Sequence, residues 1–112
     1  MHDGHGDVGA AALLSREERE RSVVIADPSR SDLPVIFVSD EFERQTGYSP
    51  AEALGRNCRF LQGPGTDTKA VQAIRDAIAA ATEITIDILN SRKDGSPFWN
   101  RLRIQNGLPS LR

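Results

Sequence analysis

Glu83-Ile84-Thr85-Ile86-Asp87-Ile88-Leu89-Asn90-Ser91-Arg92-Lys93-Asp94-Gly95-Ser96-Pro97-Phe98-Trp99-Asn100-Arg101-Leu102-Arg103-Ile104-Gln105 is the stretch on which the fold turns. Ile84, Ile86 and Ile88 alternate with Thr85 and Asp87, which predicts a strand buried on one face. After the turn at Lys93-Asp94-Gly95-Ser96, Phe98, Leu102 and Ile104 share one face of a second strand. Trp99, Arg101, Arg103 and Gln105 share the other. Two residues break this alternation: Asn90 continues the face of the isoleucines, and Asn100 sits on the face of Phe98 and Leu102. If both apolar faces look the same way, paired residue numbers have an even sum, which requires an odd loop. A three-residue loop at Lys93-Asp94-Gly95 supplies one, with Gly95 in the left-handed position such loops need. Two carboxamides then project together from an apolar wall. A buried amide without partners costs about 1–3 kcal/mol, and a flat polar ligand edge satisfies both. Asn90 taken alone reads as a solvated strand end; the pair is accounted for by a ligand as readily as by solvent.

Upstream lies the one long helix, capped by Thr66 or Asp67 and running to about Ala81. Its apolar residues, including Ala70, Val71, Ile74, Ala77 and Ile78, recur at three- and four-residue steps. Before the break at Gly63-Pro64-Gly65 comes a cluster of short helices. The first is capped by Ser39 or Asp40 and stopped by Gly47. The second is opened by the capping box Ser49-Pro50-Ala51-Glu52, and a third turn lies around residues 57–61. Val23-Val24-Ile25-Ala26 and Pro34-Val35-Ile36-Phe37-Val38-Ser39 read as strands joined in an antiparallel hairpin. Ser15-Arg16-Glu17-Glu18 is a further capping box, opening a short, nearly all-charged helix over residues 15–22 that must dock on something to persist. Residues 1–14 read as a disordered tail, with no periodicity over residues 1–9. His2 and His5, without fixed partners there, do not make a metal site.

A chain of 112 residues is one domain, and 38% apolar with 27% charged residues is ordinary for a soluble one. Lys and Arg number 14 against 16 Asp and Glu, so no field draws the chain to nucleic acid or to an anionic membrane. No apolar run is long enough to cross a bilayer, and the acidic start lacks the pattern of a signal peptide. One cysteine, Cys58, permits no internal disulfide, which fits a reducing cytoplasm.

Cys58 also has no histidine base outside the tail, so nucleophilic hydrolysis is disfavoured, and no CxxC is present for dithiol redox work. A lone cysteine is by default a small buried hydrophobe; a reactive role here needs another electrophile, such as a bound cofactor. Arg75 borders the apolar stripe of the long helix, and Arg59 follows Cys58. Each alone reads as a surface charge, whereas together they could clamp a phosphate, whose oxygens match guanidinium donors.

Gly55-Arg56-Asn57-Cys58-Arg59-Phe60-Leu61-Gln62-Gly63 resembles the signature of LOV domains, the flavin-binding blue-light sensors of the PAS superfamily. Val24-Ile25-Ala26-Asp27-Pro28, Thr46-Gly47-Tyr48, Ala73-Ile74-Arg75-Asp76-Ala77-Ile78 and Asp94-Gly95-Ser96-Pro97-Phe98-Trp99-Asn100 look like further blocks of that family, in family order, so that the likeness spans residues 23–105. The resemblance implies an α+β fold: a PAS-like antiparallel five-stranded sheet with short helices and one long helix on one face. It implies FMN, or another flavin, as chromophore, and a blue-light-driven, thermally reversible bond between the Cys58 thiol and the flavin C4a carbon, so that the module is a switch and not an enzyme. By the same matching, Asn57 and Gln62 meet the flavin chain or ring, Arg59 and Arg75 the phosphate, and Asn90 and Asn100 the polar ring edge. Val24, Leu61, Ile78 and Leu102 line the ring. A homodimer through the N-terminal helix and the sheet surface is a further implication.

The sequence departs from the family after Gln105. Residues 106–112, Asn106-Gly107-Leu108-Pro109-Ser110-Leu111-Arg112, do not match it; seven residues reach at most ~25 Å, too short for a turn and a returning strand. The expectation is therefore a sheet whose fifth strand is missing from its place between the first strand and the strand over residues 98–105. The two hairpins then keep unpaired facing edges, or close up and narrow the pocket. A PAS-like interaction module that holds no flavin is the alternative this departure suggests.

Overall fold

The structure is a computed structural model that describes residues 4–6, 9, 14–30, 32–80 and 82–105, with Cys58 described in its backbone only. In chain order come β1 (Gly4–Gly6), a 3-10 turn (Glu18–Glu20), β2 (Val23–Ala26), β3 (Val35–Ser39), α1 (Asp40–Thr46), α2 (Pro50–Ala53), a 3-10 helix (Cys58–Leu61), α3 (Thr68–Ala79), β4 (Ile84–Ser91) and β5 (Pro97–Ile104). They form one five-stranded sheet in the order β1-β3-β2-β5-β4.

The terminal hairpin has the register expected from alternation. Ile84 pairs with Ile104, Ile88 with Asn100 and Asn90 with Phe98, every pair summing to 188. The Arg92 N–H donates to the Ser96 carbonyl at 2.7 Å, closing the three-residue loop, and Gly95 at φ +91° takes the left-handed position. The helix starts also follow local chemistry. Ser49 Oγ accepts from the Glu52 N–H at 3.1 Å while the Glu52 carboxylate accepts from the Ser49 N–H at 2.8 Å, and Asp67 accepts from the Lys69 N–H at 2.8 Å to open α3. Phe42, Ala53, Leu61 and Ile74 bring the helices down on one face of the sheet, against Val24, Ala26, Val35, Val38, Ile88, Leu102 and Ile104.

Two expectations about the sheet are corrected. It is not short of a fifth strand, and it is not wholly antiparallel. β2 pairs directly with β5 in parallel, Val24 beside Leu102 and Ala26 beside Ile104, so the facing edges expected to be unpaired are joined. The fifth strand is β1, inside the segment read as a tail, antiparallel to the outer edge of β3 with Gly4 opposite Ser39. No side-chain pattern announces Gly4-His5-Gly6 as a strand, because its pairing is through the backbone alone. A Cβ at Gly4 would collide with the Phe37 ring and the Val38 carbonyl, so glycine is what admits the close approach.

The helix expected over residues 15–22 contracts to the turn at Glu18–Glu20. Its capping box forms, with Ser15 and Glu18 each accepting from the other's N–H at 3.1 Å. The chain then extends at Arg21 because Ser22 is drawn into pairing with β5, where the Arg101 N–H donates to the Ser22 carbonyl at 3.2 Å. The segment covers the outer face of the sheet, where Leu14 packs on Val23, Ile25 and Phe37. α3 ends at Ala79; Ala81 and the unmatched residues 106–112 lie outside the described residues. No helix among the described residues is long and apolar enough to cross a membrane.

Candidate functional site

The 3-10 helix at Cys58–Leu61 and the face of α3 enclose a cleft of about 180 Å³, lined by Leu33, Asn57, Arg59, Gln62, Val71, Ile74, Arg75 and Ile78. Five residues singled out from the sequence thus meet here: Asn57, Arg59, Gln62, Arg75 and Ile78. Asn57 caps the 3-10 helix, its side-chain oxygen accepting from the Arg59 N–H at 2.8 Å while its amide donates to the Asp32 carbonyl at 2.9 Å. Arg59 reaches the Asp32 carboxylate at 3.3 Å, both side chains being exposed. Asp32 and Leu33 lie at φ +66° and +49°, in the left-handed region that a leucine rarely occupies. That conformation points Leu33 into the cleft and brings Asp32 onto the two side chains expected to meet a ligand chain and phosphate.

The remaining expected residues lie deeper. Asn90 and Asn100 are buried on the inner sheet face, and the Asn100 amide donates to the Asn90 side-chain oxygen at 3.2 Å. The Asn90 amide reaches the Leu89 carbonyl at 3.5 Å, at the limit for a hydrogen bond. Val24, Leu61 and Leu102, expected as walls of a ring, belong to one core cluster with Ile74 and Ile88. None of these lines the cleft, and only Ile78 of the four wall residues does, at 37% exposure. The direct pairing of β2 with β5 accounts for this separation, since it draws Val24 beside Leu102. The Cys58 side chain lies outside the described residues; its backbone opens the 3-10 helix between Asn57 and Arg59, both of which line the cleft.

A flavin needs three kinds of lining: cations for a phosphate, amides for a polyol chain and a polar ring edge, and apolar walls. The donor set fits. Two guanidiniums and two carboxamides ring a cleft floored by Val71, Ile74 and Ile78. Each buried asparagine has hydrogen-bond capacity to spare, since one N–H and one oxygen lone pair of each are committed. The residues expected as ring walls, Val24, Leu61 and Leu102, are packed into the core cluster.

Several contributing residues were not among the site residues expected from the sequence, although Val71 and Ile74 stood in the helix stripe. Ser22 donates to the Asn100 side-chain oxygen at 2.8 Å; its two-residue spacing from Val24 and Ala26 puts it on their inward face, which was the available signal. Leu33, Val71 and Ile74 join the cleft beside the expected residues. Glu18 was read only as a cap, yet it is 3% exposed and binds Arg103 at 2.9 and 3.0 Å and Arg101 at 3.2 Å on the outer face of β5. Burial opposes its charge, but the Ser15 N–H and the two arginines outweigh it and hold the carboxyl below its ordinary value. Asp87, held by two hydrogen bonds from Arg101, is likewise lowered.

Comparison with known proteins places this geometry among relatives. The sequence profile of the PAS domain family matches residues 20–106. A blue-light-activated histidine kinase of Brucella anthropi is 51% identical over 82 residues, covering 73% of this chain and 17% of that protein. Rice phototropin-2 (Oryza sativa subsp. japonica) is 49% identical over 103 residues, covering 92% of this chain and 11% of that one. The chain therefore spans less than a fifth of the length of these curated relatives. Among solved structures, the LOV domain of the Erythrobacter litoralis EL346 blue-light-activated histidine kinase superposes with a TM-score of 0.63 at 48% identity, over 72% of this chain and 74% of that one. The light-state structure of the Aureochrome1 LOV photoreceptor superposes with a TM-score of 0.64 at 40% identity, over 93% and 77%.

Proposed function

The chain belongs to the PAS domain family, as one of its LOV domains, and on that footing we propose that it is a blue-light photoreceptor module carrying a flavin, and that the flavin is FMN. The observation that carries the choice of FMN is the cleft. Arg59 and Arg75 stand on opposite walls of it, one on the 3-10 helix and one on α3, where a terminal phosphate gains charge-assisted bonds from both. Asn57 and Gln62 supply amides for the polyol chain beside them. Asn90 and Asn100 offer a spare N–H and a spare lone pair each to the polar edge of a ring.

A flavin held by these residues would supply a ring that blue light excites, toward which Cys58 would contribute its thiol. The chain's own part is to orient and to exclude water. Asn57 holds the Cys58–Leu61 helix by capping it, which fixes where Cys58 begins. Leu61, Val24 and Leu102 form an apolar wall, and ring binding has to part the cluster they share. We assign no turnover reaction to the module. The kinase activity named for the Brucella relative is that protein's, and this chain covers 17% of its length.

The packed interior favours a second reading, an interaction module without flavin. Titration of the purified chain with FMN and with riboflavin separates the two. FMN binding that exceeds riboflavin binding, and a preference that Arg59→Gln and Arg75→Gln each reduce, support the proposal. Uptake of neither flavin overturns it in favour of the interaction module.

A further inference from the structure

Ser22 closes one end of a buried hydrogen-bond chain. It is 5% exposed, and its hydroxyl lies 2.8 Å from the Asn100 side-chain oxygen. Asn100 in turn donates to Asn90 at 3.2 Å, and Asn90 faces the Leu89 carbonyl at 3.5 Å. The order of the groups sets the direction of the chain. A carbonyl only accepts, so Asn90 turns its amide nitrogen to Leu89 and its oxygen to Asn100. Asn100 must then give its nitrogen to Asn90, which leaves its oxygen facing Ser22, and the Ser22 hydroxyl donates. Reversing either carboxamide would set two acceptors or two donors face to face.

We infer that Ser22 is a positioning residue whose hydroxyl anchors the oxygen end of the Asn100 carboxamide, in the direction that the Leu89 carbonyl sets through Asn90, for the polar edge of a bound ring. The inference rests on the flavin reading for its ligand, but the hydrogen-bond chain stands in the flavin-free molecule. Without the hydroxyl the Asn100 oxygen is a buried acceptor with no partner, and the carboxamide is held only at its nitrogen, by Asn90. A ring edge then meets an amide anchored at one end. Ser22 is itself held firmly. Its carbonyl accepts from the Arg101 N–H at 3.2 Å, and Ser39 pins both its neighbours, donating to the Arg21 carbonyl at 2.6 Å and accepting from the Val23 N–H at 2.9 Å. The same residue ends the segment that covers the outer sheet face, so the covering segment and the ring edge share one joint.

The test compares the full chain with Ser22→Ala and Ser22→Thr, without flavin and loaded with FMN. In the flavin-free chain the side-chain amide NMR signals of Asn100 and Asn90 are expected to move in Ser22→Ala and to return in Ser22→Thr, which restores the hydroxyl. With FMN, Ser22→Ala is expected to bind about three- to tenfold more weakly and to shift the infrared carbonyl bands of the ring, again with recovery in Ser22→Thr. Unmoved amide signals together with unchanged FMN binding in Ser22→Ala overturn the inference. So does a loss that Ser22→Thr fails to restore, since packing would then be the cause. A wild-type chain that takes no FMN while its amide signals still respond to Ser22→Ala overturns the flavin reading and leaves the positioning of the asparagines supported.

Discussion

Replacing Glu18 by glutamine removes a buried charge from between two arginines while leaving the shape of the turn almost intact. The glutamine carbonyl can still accept from the Ser15 N–H, the bond that the carboxylate makes at 3.1 Å, so the capping box survives. At the position of the second oxygen an NH2 group now faces the guanidiniums of Arg101 and Arg103, which bind that oxygen at 3.2 and 3.0 Å. Donors then oppose donors, and both cations lose the negative charge between them, although Arg101 keeps Asp87 and Arg103 keeps the first oxygen. Breaking a fully buried ion pair from one side costs about 3–5 kcal/mol. Arg101 and Arg103 keep 22% and 17% of their side-chain surface exposed, so water takes up part of the loss and the expected cost falls to about 2–3 kcal/mol. For a domain of this size that lowers the melting temperature by roughly 10–20 °C. Urea unfolding followed by circular dichroism measures it, with an unchanged slope and a lowered midpoint. Glu17→Gln is the control: Glu17 is 72% exposed and pairs with Arg21, so its loss costs about 0.5 kcal/mol or less. Equal midpoints for the two variants would refute the claim that the Glu18 pair fastens the segment to β5. The pH dependence has a definite sign. The Glu18 carboxyl lies below its ordinary value of 4.5, so its contribution is full above pH 4.5 and is lost as pH falls below it. Glu18→Gln lacks this component and loses stability less steeply on acidification.

Glu52, which accepts from the Ser49 N–H and from Lys93 at 2.9 Å, titrates at about 2, and Lys93→Ala moves it back toward 4.5; carboxyl chemical shifts followed against pH check both. Asp32→Gly frees Arg59 from the carboxylate, keeps the backbone carbonyl that Asn57 binds, and removes a side chain from a left-handed position at φ +66°. It is expected to tighten FMN roughly two- to fivefold while leaving riboflavin nearly unchanged, as read by flavin fluorescence titration. Weaker FMN binding in that variant would mean that Asp32 supports the cleft and does not compete for it.

What was legible in the sequence is what local chemistry determines. The hairpin of β4 and β5 follows from alternation and an odd loop, so Asn90 and Asn100 could be set side by side before any coordinates. Capping side chains placed the starts of α2 and α3. Arg59 and Arg75 could be paired because one borders the helix stripe and the other follows Cys58, and both do line one cleft. Long-range choices were less legible. Whether β2 meets β5 directly is decided by which edges are left to pair, and no residue in Val23–Ala26 records its neighbour across the sheet. β1 is three residues, two of them glycine, paired through the backbone with β3, and has no side-chain alternation to read. The burial of Glu18 depends on arginines more than 80 residues away, so its capping role was visible and its ion pairs were not. Ser22 was hidden for a similar reason, since a serine one step before a strand reads as a loop residue until Asn100 is found opposite it.

The central claim is that Cys58, between the cleft residues Asn57 and Arg59, makes this chain a reversible blue-light switch. The most direct measurement is the absorption of the FMN-loaded chain before, during and after blue illumination, set beside Cys58→Ala. The wild-type chain should lose its blue absorption band under light and regain it fully in darkness, and Cys58→Ala should keep the band throughout while binding FMN comparably. Reversible bleaching to the same product in Cys58→Ala, or a wild-type chain that holds FMN and shows no bleaching, would contradict the account.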